Sequence, residues 1–158
     1  MLRGSSLNPN FALAYHYRGA AYINKGQYDK ALEDYNKAIA INPSDSNIYN
    51  SRGHLYGFFK GQYDMAIRDF DKALLLSPDG AYYYNRGLIY TYKCEYDRAI
   101  EDYNKAITIY PLADIYNSRG EAYLKLGVKG EAISDFKKAC DMGNELGCKG
   151  LQMALENR

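Results

Sequence analysis

The chain has 158 residues, enough for one ordinary domain, and its 20 Lys and Arg against 19 Asp and Glu leave a net charge of +1. A nucleic-acid-binding surface usually needs a basic stripe, so this balance argues against a nucleic-acid partner. No apolar run approaches the roughly 20 residues of a membrane-spanning helix, so we expect no membrane insertion.

The rest of the sequence is organised by an internal repeat of about 34 residues. Each of four blocks contains an Arg-Gly pair, and a Tyr follows the Gly three residues later. The four Arg residues are Arg18, Arg52, Arg86 and Arg119. In the first block Tyr15, Gly19 and Tyr22 follow the spacing i, i+4 and i+7, which predicts one face of a helix.

Each block continues with an Ala, an aromatic residue four positions later and a second Ala three positions after that. The aromatic residues are Tyr35, Phe70, Tyr103 and Phe136. In the first block Ala31, Tyr35 and Ala38 therefore share one face of a second helix, which follows the turn at Gly26-Gln27. The first three blocks close on Pro43, Pro78 and Pro111.

In chain order, we predict helices at 12–25, 28–41, 46–59, 63–76, 80–93, 96–109, 113–126 and 129–142. The second block has one extra residue within Gly57 to Lys60. A ninth helix is predicted at 145–156, where it covers the last pair of helices and packs Leu146, Leu151 and Met153 inward.

The Gly of each Arg-Gly pair lies inside a predicted helix, where Gly costs roughly 0.5–1 kcal/mol relative to Ala. Its presence in all four blocks indicates that a neighbouring helix approaches too closely for a side chain. We expect the recurring Ala residues to serve the same close approach.

Each Arg lies on the buried face of its helix, where an unpaired charge is costly. An Asp recurs 16 or 17 residues after each Arg, at Asp34, Asp69, Asp102 and Asp135. We predict that each Arg binds an Asp of its own or the preceding pair of helices, because the planar guanidinium can bond a carboxylate twice. The alternative is that the Arg stems pack on Tyr while their charged ends reach water.

The pattern of Gly-x-x-Tyr, Ala-x-x-x-aromatic and closing Pro resembles the tetratricopeptide repeat (TPR) over residues 12–146. The resemblance implies an all-α fold, a right-handed α-solenoid of four helical hairpins with a C-terminal capping helix. The hairpins are expected at 12–45, 46–79, 80–112 and 113–144, and the cap at 145–158. The chain departs from the family where Tyr replaces a common Trp, and where Arg replaces Leu before each Gly.

The sequence near the start of the chain resembles the end of the first repeat block. Leu7-Asn8-Pro9-Asn10 resembles Ile41-Asn42-Pro43-Ser44. We therefore expect residues 1–11 to be the remnant of a preceding repeat, with Met1 to Ser6 partly a cloning remnant, and the chain to be a segment of a longer array.

The TPR family generally binds protein segments in a concave groove lined by the first helix of each hairpin, which implies a protein-interaction scaffold here. The implied groove residues are His16, Asn24, Asn47, Asn50, His54, Phe58, Tyr84, Asn85, Tyr92, Asn117 and Glu121. Asn side chains can pair with peptide groups, and aromatic rings add apolar contact. We expect the partner to be a protein or peptide segment of low net charge.

Two alternatives remain for this surface. The Asn residues could simply cap and solvate the helices, with binding on a convex face. The chain could instead be a structural module that stacks end to end as a homo-oligomer. Chaperone-binding TPR proteins clamp a terminal carboxylate with Lys and Asn; the matching positions here are His16, Ala20, Ser51, Ala81 and Asn85, without Lys or Arg.

The sequence offers no recognisable catalytic, cofactor or metal site. His16 and His54 lack a nearby carboxylate or thiol pattern, so we interpret them as polar groove residues. The chain has only three cysteines, and an odd number cannot all pair, so they do not indicate a disulfide framework. Cys140 and Cys148 could pair, but we expect reduced thiols. We therefore predict a non-enzymatic protein without a cofactor.

Overall fold

The computed structural model describes residues 9–156, and these residues form helices joined by short turns. The helices are α1 (Pro9–Asn24), α2 (Tyr28–Ile41), α3 (Ser46–His54), α4 (Tyr63–Leu76), α5 (Gly80–Tyr92), α6 (Tyr96–Ile109), α7 (Ala113–Lys125), α8 (Lys129–Asp141) and α9 (Glu145–Glu156). The predicted helices are confirmed with nearly the same ends, except that α1 begins three residues earlier than expected. The proposed remnant at residues 1–11 lies largely outside the described residues.

The chain divides into two compact units, and the division falls between Pro78 and Asp79. The first unit contains the hairpins α1–α2 and α3–α4. The second contains the hairpins α5–α6 and α7–α8, and α9 packs on α8 and α7.

Within each hairpin, the Gly of the first helix meets the aromatic residue of the second. A Cβ atom at Gly19 would lie 2.8 Å from Tyr35 Cε1, and one at Gly87 would lie 2.7 Å from Tyr103 Cε1. Gly53 and Gly120 meet Phe70 and Phe136 in the same way, at 3.0 Å. The predicted close approach is confirmed, and it leaves Tyr35, Phe70, Tyr103 and Phe136 almost completely buried.

The extra residue of the second block is absorbed in a single π-helical turn at Leu55–Phe59. The turn continues α3, and the amide of Lys60 donates to the Leu55 carbonyl at 3.2 Å. Inserting one residue into a regular α-helix would rotate everything after it, whereas a π turn holds the insertion locally. The sequence-based helix over 46–59 was therefore right in extent but not in its last turn.

Four Arg–Asp pairs connect the two helices of the four hairpins, as predicted. Each Arg donates from Nε and Nη2 to both oxygens of its Asp, at 2.6–2.8 Å. The partners are Arg18–Asp34, Arg52–Asp69, Arg86–Asp102 and Arg119–Asp135. The Asp side chains are only 3–7% exposed, so each bidentate pair satisfies a buried carboxylate.

Tyrosines flank every Arg of these pairs. Each guanidinium carbon lies 5.2–5.9 Å from the ring centres of the Tyr residues three before and four after it, within cation–π range. Arg52 and Arg119 also donate from Nη1 to Asn36 and Asn104 of the preceding hairpin, both at 2.6 Å. The Arg residues therefore bind Asp and pack on Tyr at the same time.

The last helix, α9, packs through small residues, which corrects two sequence-based predictions. Gly147 and Gly150 face Ala139 and Phe136, where a Cβ atom would lie at 2.6 and 2.7 Å. Leu151 packs inward as predicted. Leu146 and Met153, however, remain 61% and 55% exposed, because the close approach places the glycines, not the large side chains, against α8.

The expectation of reduced thiols at Cys140 and Cys148 was also wrong. Their sulfur atoms are bonded at 1.99 Å, and their Cα atoms lie 4.6 Å apart. The tight turn between α8 and α9 brings the last turn of one helix against the first turn of the next, and a disulfide spans that distance without moving the backbone. Cys94 is free and exposed.

The Arg pairs lead to a prediction about stability. Replacing Arg52 by Met should reduce the free energy of unfolding by about 3–5 kcal/mol, because Asp69 stays buried without its partner. Arg18→Met should cost less, because the Arg18 side chain is 54% exposed and water can reach its site. The double variant Arg52→Met/Asp69→Leu should regain most of the loss. Chemical denaturation followed by circular dichroism measures all three, and equal losses for the two single variants would contradict this account.

Cys94 adopts a left-handed backbone conformation, with φ of 60°. It follows the first helix of the third hairpin, at the position that Gly26, Gly61 and Gly127 occupy in the other hairpins with φ of 63–77°. A side chain in this region costs roughly 1–2 kcal/mol, whereas Gly adopts it freely.

Cys94→Gly should therefore stabilise the chain by about 1 kcal/mol. Gly127→Ala is the matched reverse change, since no neighbouring atom lies within 4 Å of a Cβ there and only the backbone resists the substitution. Gly127→Ala should lower the midpoint of thermal unfolding, whereas Cys94→Gly should raise it. Shifts of the same sign would show that the backbone conformation does not control stability at this turn.

Candidate functional site

In the first unit, the first helices of neighbouring hairpins are joined by a polar pair. His16 Nε2 on α1 lies 2.8 Å from Ser51 Oγ on α3, and both side chains are half-buried. Asn24 and Asn47 are exposed, and Asn50 is half-buried. These predicted groove residues therefore lie on helices that a direct hydrogen bond holds together.

The π turn adds an aromatic cluster to this unit. Its Phe58 and Phe59 rings lie 4.5 and 5.6 Å from the His54 ring, and Phe59 lies 5.1 Å from Tyr28 of the preceding hairpin. Lys60 donates from Nζ to Asp29 at 2.7 Å beside it. Of the predicted groove residues, His54 and Phe58 are thus brought together, and Phe59, which is 40% exposed, was missed.

The second unit repeats the polar link at the equivalent positions. Tyr84 OH on α5 lies 3.4 Å from Ser118 Oγ on α7, 34 residues away. The Tyr84 ring packs 6.0 Å from Tyr103, whose hydroxyl lies 2.9 Å from Thr91 Oγ1. Tyr92 is 56% exposed at the end of α5, so it offers a ring to solvent.

Asn117 and Glu121 are hydrogen-bonded to each other on α7. Asn117 is only 6% exposed, and its Nδ2 donates to Glu121 Oε1 at 2.9 Å. The Asn117 Oδ1 is buried without a hydrogen-bond partner among the described residues. Asn117 therefore orients the exposed Glu121 carboxylate. Asn85, on α5, is half-buried.

A cleft that sequence reasoning did not anticipate lies between α7 and α9. It holds about 310 Å³ and is lined by Glu121, Leu124, Lys125, Phe136, Leu146, Lys149, Gly150 and Met153. Leu146 and Met153 had been expected in the core. The signal that could have revealed the cleft is the spacing of Gly147, Gly150 and Ala154, which marks the packed face of α9 and leaves the neighbouring apolar residues exposed.

Neither a metal cluster nor a membrane helix is found in the described part of the chain. Residues 9–156 bring no three His, Cys, Asp or Glu side chains together at a distance suited to a metal ion. Within the same residues, the helices are too short or too polar to span a bilayer.

Comparison with known families identifies the repeat. Residues 12–45 and 81–111 match the tetratricopeptide repeat, and residues 34–68 and 113–142 match further models with that description. The chain belongs to the tetratricopeptide-repeat family.

Solved structures confirm the all-α TPR fold. A chain in the crystal structure of the APC/C hetero-tetramer Cut9-Hcn1 superposes on 91% of this TPR chain with a TM-score of 0.82 at 24% identity, and this chain spans 30% of its length. A MamA crystal structure is 31% identical over 85% of this chain and 80% of its own, with a TM-score of 0.79. The first TPR of Spaghetti (RPAP3), bound to the HSP90 peptide SRMEEVD, is 22% identical over 76% of this chain and 98% of its own, with a TM-score of 0.73.

The two histidines give the fold a dependence on pH. Burial lowers the pKa of His16 from its ordinary value of 6.5, with Asp45 opposing the change, and burial also lowers the pKa of His54. The unfolded chain therefore takes up protons below pH 6.5 before the folded chain does, so stability falls as the pH drops through this range.

When the pH falls from about 7.5 to about 5, across the ordinary His pKa of 6.5, the double variant His16→Gln/His54→Gln should lose less stability than the parent chain. Denaturant midpoints are measured for both proteins at the two pH values, and the change with pH is compared. The contacts that the Gln side chains fail to make are missing at both pH values, so they do not affect this change. An unchanged pH dependence would show that neither His resists protonation in the folded state.

Proposed function

We propose that this TPR chain is a scaffold that binds a segment of another protein on the surfaces that the first helices form within each unit. The supporting observation is the repeated polar link, His16–Ser51 in one unit and Tyr84–Ser118 in the other. Such links connect neighbouring first helices, so their half-buried side chains are positioned before a partner arrives. Less conformational freedom then has to be lost on binding.

The chemistry of this surface favours a segment gripped through its backbone. Asn24, Asn47 and Asn50 each carry both a donor and an acceptor, which suits a peptide group regardless of its side chain. Phe58 supplies flat apolar area in the same unit, and Tyr92 supplies it in the second unit. With few charges among these residues, a segment of low net charge is the best match.

The similarity to the RPAP3 domain does not extend to its ligand. That domain is bound to the acidic HSP90 peptide SRMEEVD. Positions that would clamp a terminal carboxylate hold His16, Ala20, Ser51, Ala81 and Asn85 in this chain, without a Lys or Arg. A different segment is therefore proposed as the partner.

Self-association is the second candidate function. On α1, Phe11, Leu13 and Tyr17 are 60%, 41% and 69% exposed, and Phe11 lines a hollow of about 250 Å³ with Ala14, Tyr15 and Arg18. Exposed aromatic residues of this kind are typical of protein contact surfaces. Sedimentation equilibrium separates the two candidates, because end-to-end stacking predicts a mass that rises above 18.0 kDa with concentration.

The scaffold proposal predicts the effect of groove variants. Peptides that bind the purified chain are selected from a random 12-residue phage library, and their affinities are measured by fluorescence anisotropy. Asn50→Ala combined with Asn85→Ala should weaken binding about tenfold, since each lost hydrogen bond is worth about 0.5–1.5 kcal/mol. Tyr92→Ala should add to the loss.

Leu75→Ala on α4 is the matched control, because Leu75 is 78% exposed but lies on a second helix. It should leave the affinity unchanged. Failure to select any peptide, or equal losses for the groove variants and this control, would contradict the scaffold proposal.

A further inference from the structure

The cleft between α7 and α9 is built from two matching helix faces. Leu146, Lys149, Gly150 and Met153 follow i, i+3, i+4 and i+7 on α9. Glu121, Leu124 and Lys125 follow i, i+3 and i+4 on α7, and Phe136 of α8 lies between the two helices. The large apolar side chains of both faces are exposed, Leu124 at 39%, Leu146 at 61% and Met153 at 55%.

The wall formed by α9 is held in place before any ligand binds. Asn144 donates from Nδ2 to Asp114 at the start of α7 at 2.6 Å, and its Oδ1 accepts from the Gly147 amide at 2.7 Å. The Cys140–Cys148 disulfide joins the same end of α9 to α8. The cleft is therefore a formed feature of the second unit and not a gap between loose side chains.

The charge and the volume of the cleft indicate which kind of ligand it can bind. Lys125 and Lys149 line the cleft and have no ion-pair partner among the described residues, whereas Glu121 receives its hydrogen bond from Asn117. The cleft thus carries a net positive charge beside its apolar lining. A volume of about 310 Å³ is at the lower end of the range for ligand pockets, so it suits one or two side chains and not a folded surface.

We propose that this cleft binds an internal segment of a partner protein in which a large apolar side chain is followed or preceded by an Asp or Glu. The apolar side chain packs against Leu124, Leu146 and Met153, and flexible Met adapts to its shape. The carboxylate binds Lys125 or Lys149 at the edge. This inference rests on the scaffold function proposed above, and it identifies the part of the bound segment that supplies its apolar anchor.

The test uses the full chain and a phage library of random 12-residue peptides flanked on both sides by coat-protein sequence, so that no peptide carries a free terminal carboxylate. Enriched peptides are synthesised with acetylated and amidated ends and titrated by fluorescence anisotropy. The proposal expects enriched sequences that combine a large apolar residue with a neighbouring Asp or Glu.

Two pairs of variants then locate the binding site. Met153→Asp should weaken binding about 10- to 100-fold, the change expected when one large apolar contact is lost, whereas the exposed control Leu75→Asp should not. Lys149→Glu should weaken binding about threefold or more at low salt and less at high salt, whereas Lys137→Glu on the outer side of α8 should not.

The possible results separate this inference from the broader proposal. Enriched peptides that depend on Asn85 and Tyr92 but not on Met153 and Lys149 would overturn the cleft proposal and leave the scaffold function standing. A library that yields no binder would overturn both. Self-association in sedimentation equilibrium that Met153→Asp abolishes would show a second copy of the chain in the cleft, and it would likewise overturn an internal segment as the ligand.

Discussion

The bidentate contact between one Arg and one Asp is the interaction on which each hairpin depends. The Asp carboxylates are buried, so without the guanidinium each would leave a charge without compensation inside the fold. The guanidinium also lies between two Tyr rings of its own helix, and these rings restrict where the Arg side chain can point. In Arg52 and Arg119 the remaining guanidinium nitrogen reaches an Asn of the preceding hairpin. One side chain thus joins the two helices of a hairpin and, in these cases, two successive hairpins, which is where a repeat fold obtains its stability.

Two kinds of contact stabilise each hairpin: close packing around the glycines and the polar Arg–Asp pairs. Gly19, Gly53, Gly87 and Gly120 let an aromatic ring lie directly against the first helix, which excludes water from the apolar side of the hairpin. The Arg–Asp pair forms beside that contact, where low exposure strengthens it. His16 and Tyr84 lie three residues before the Gly of their repeats, and their rings lie 5.7 and 6.0 Å from the rings of Tyr35 and Tyr103. The packing that buries these tyrosines therefore also positions His16 and Tyr84.

The repeat in the sequence was enough to predict the helices and the pairing of each Arg with a recurring Asp, because each is set by residues that recur in register. It left open whether the Asp came from the same or the preceding hairpin. The N-caps at Asp45 and Asp79, whose side chains accept from the amides of Asn47 and Ala81, are also local signals. The features that were missed depend on how closely two helices approach. In α9, the choice between burying Leu146 and burying Gly147 is decided by that distance, and so is the bond between Cys140 and Cys148. The burial of Asn117 and the π turn at Leu55–Phe59 likewise arise from the surrounding packing. The cleft was missed because the small residues of α9 were not interpreted as its packed face.

The disulfide has a consequence for the way the second unit opens. It ties the beginning of α9 to α8, while the other end of α9 is held only by non-covalent contacts, among them Ala154 against Phe136 and Ala132. Local opening of this helix must then start at its far end and travel back toward Cys148. The amide hydrogens near Glu156 would exchange with deuterated solvent sooner than those near Lys149, and reduction of the disulfide would make this difference smaller. The helix therefore behaves as a flap hinged at one end, and the hinge lies next to Leu146.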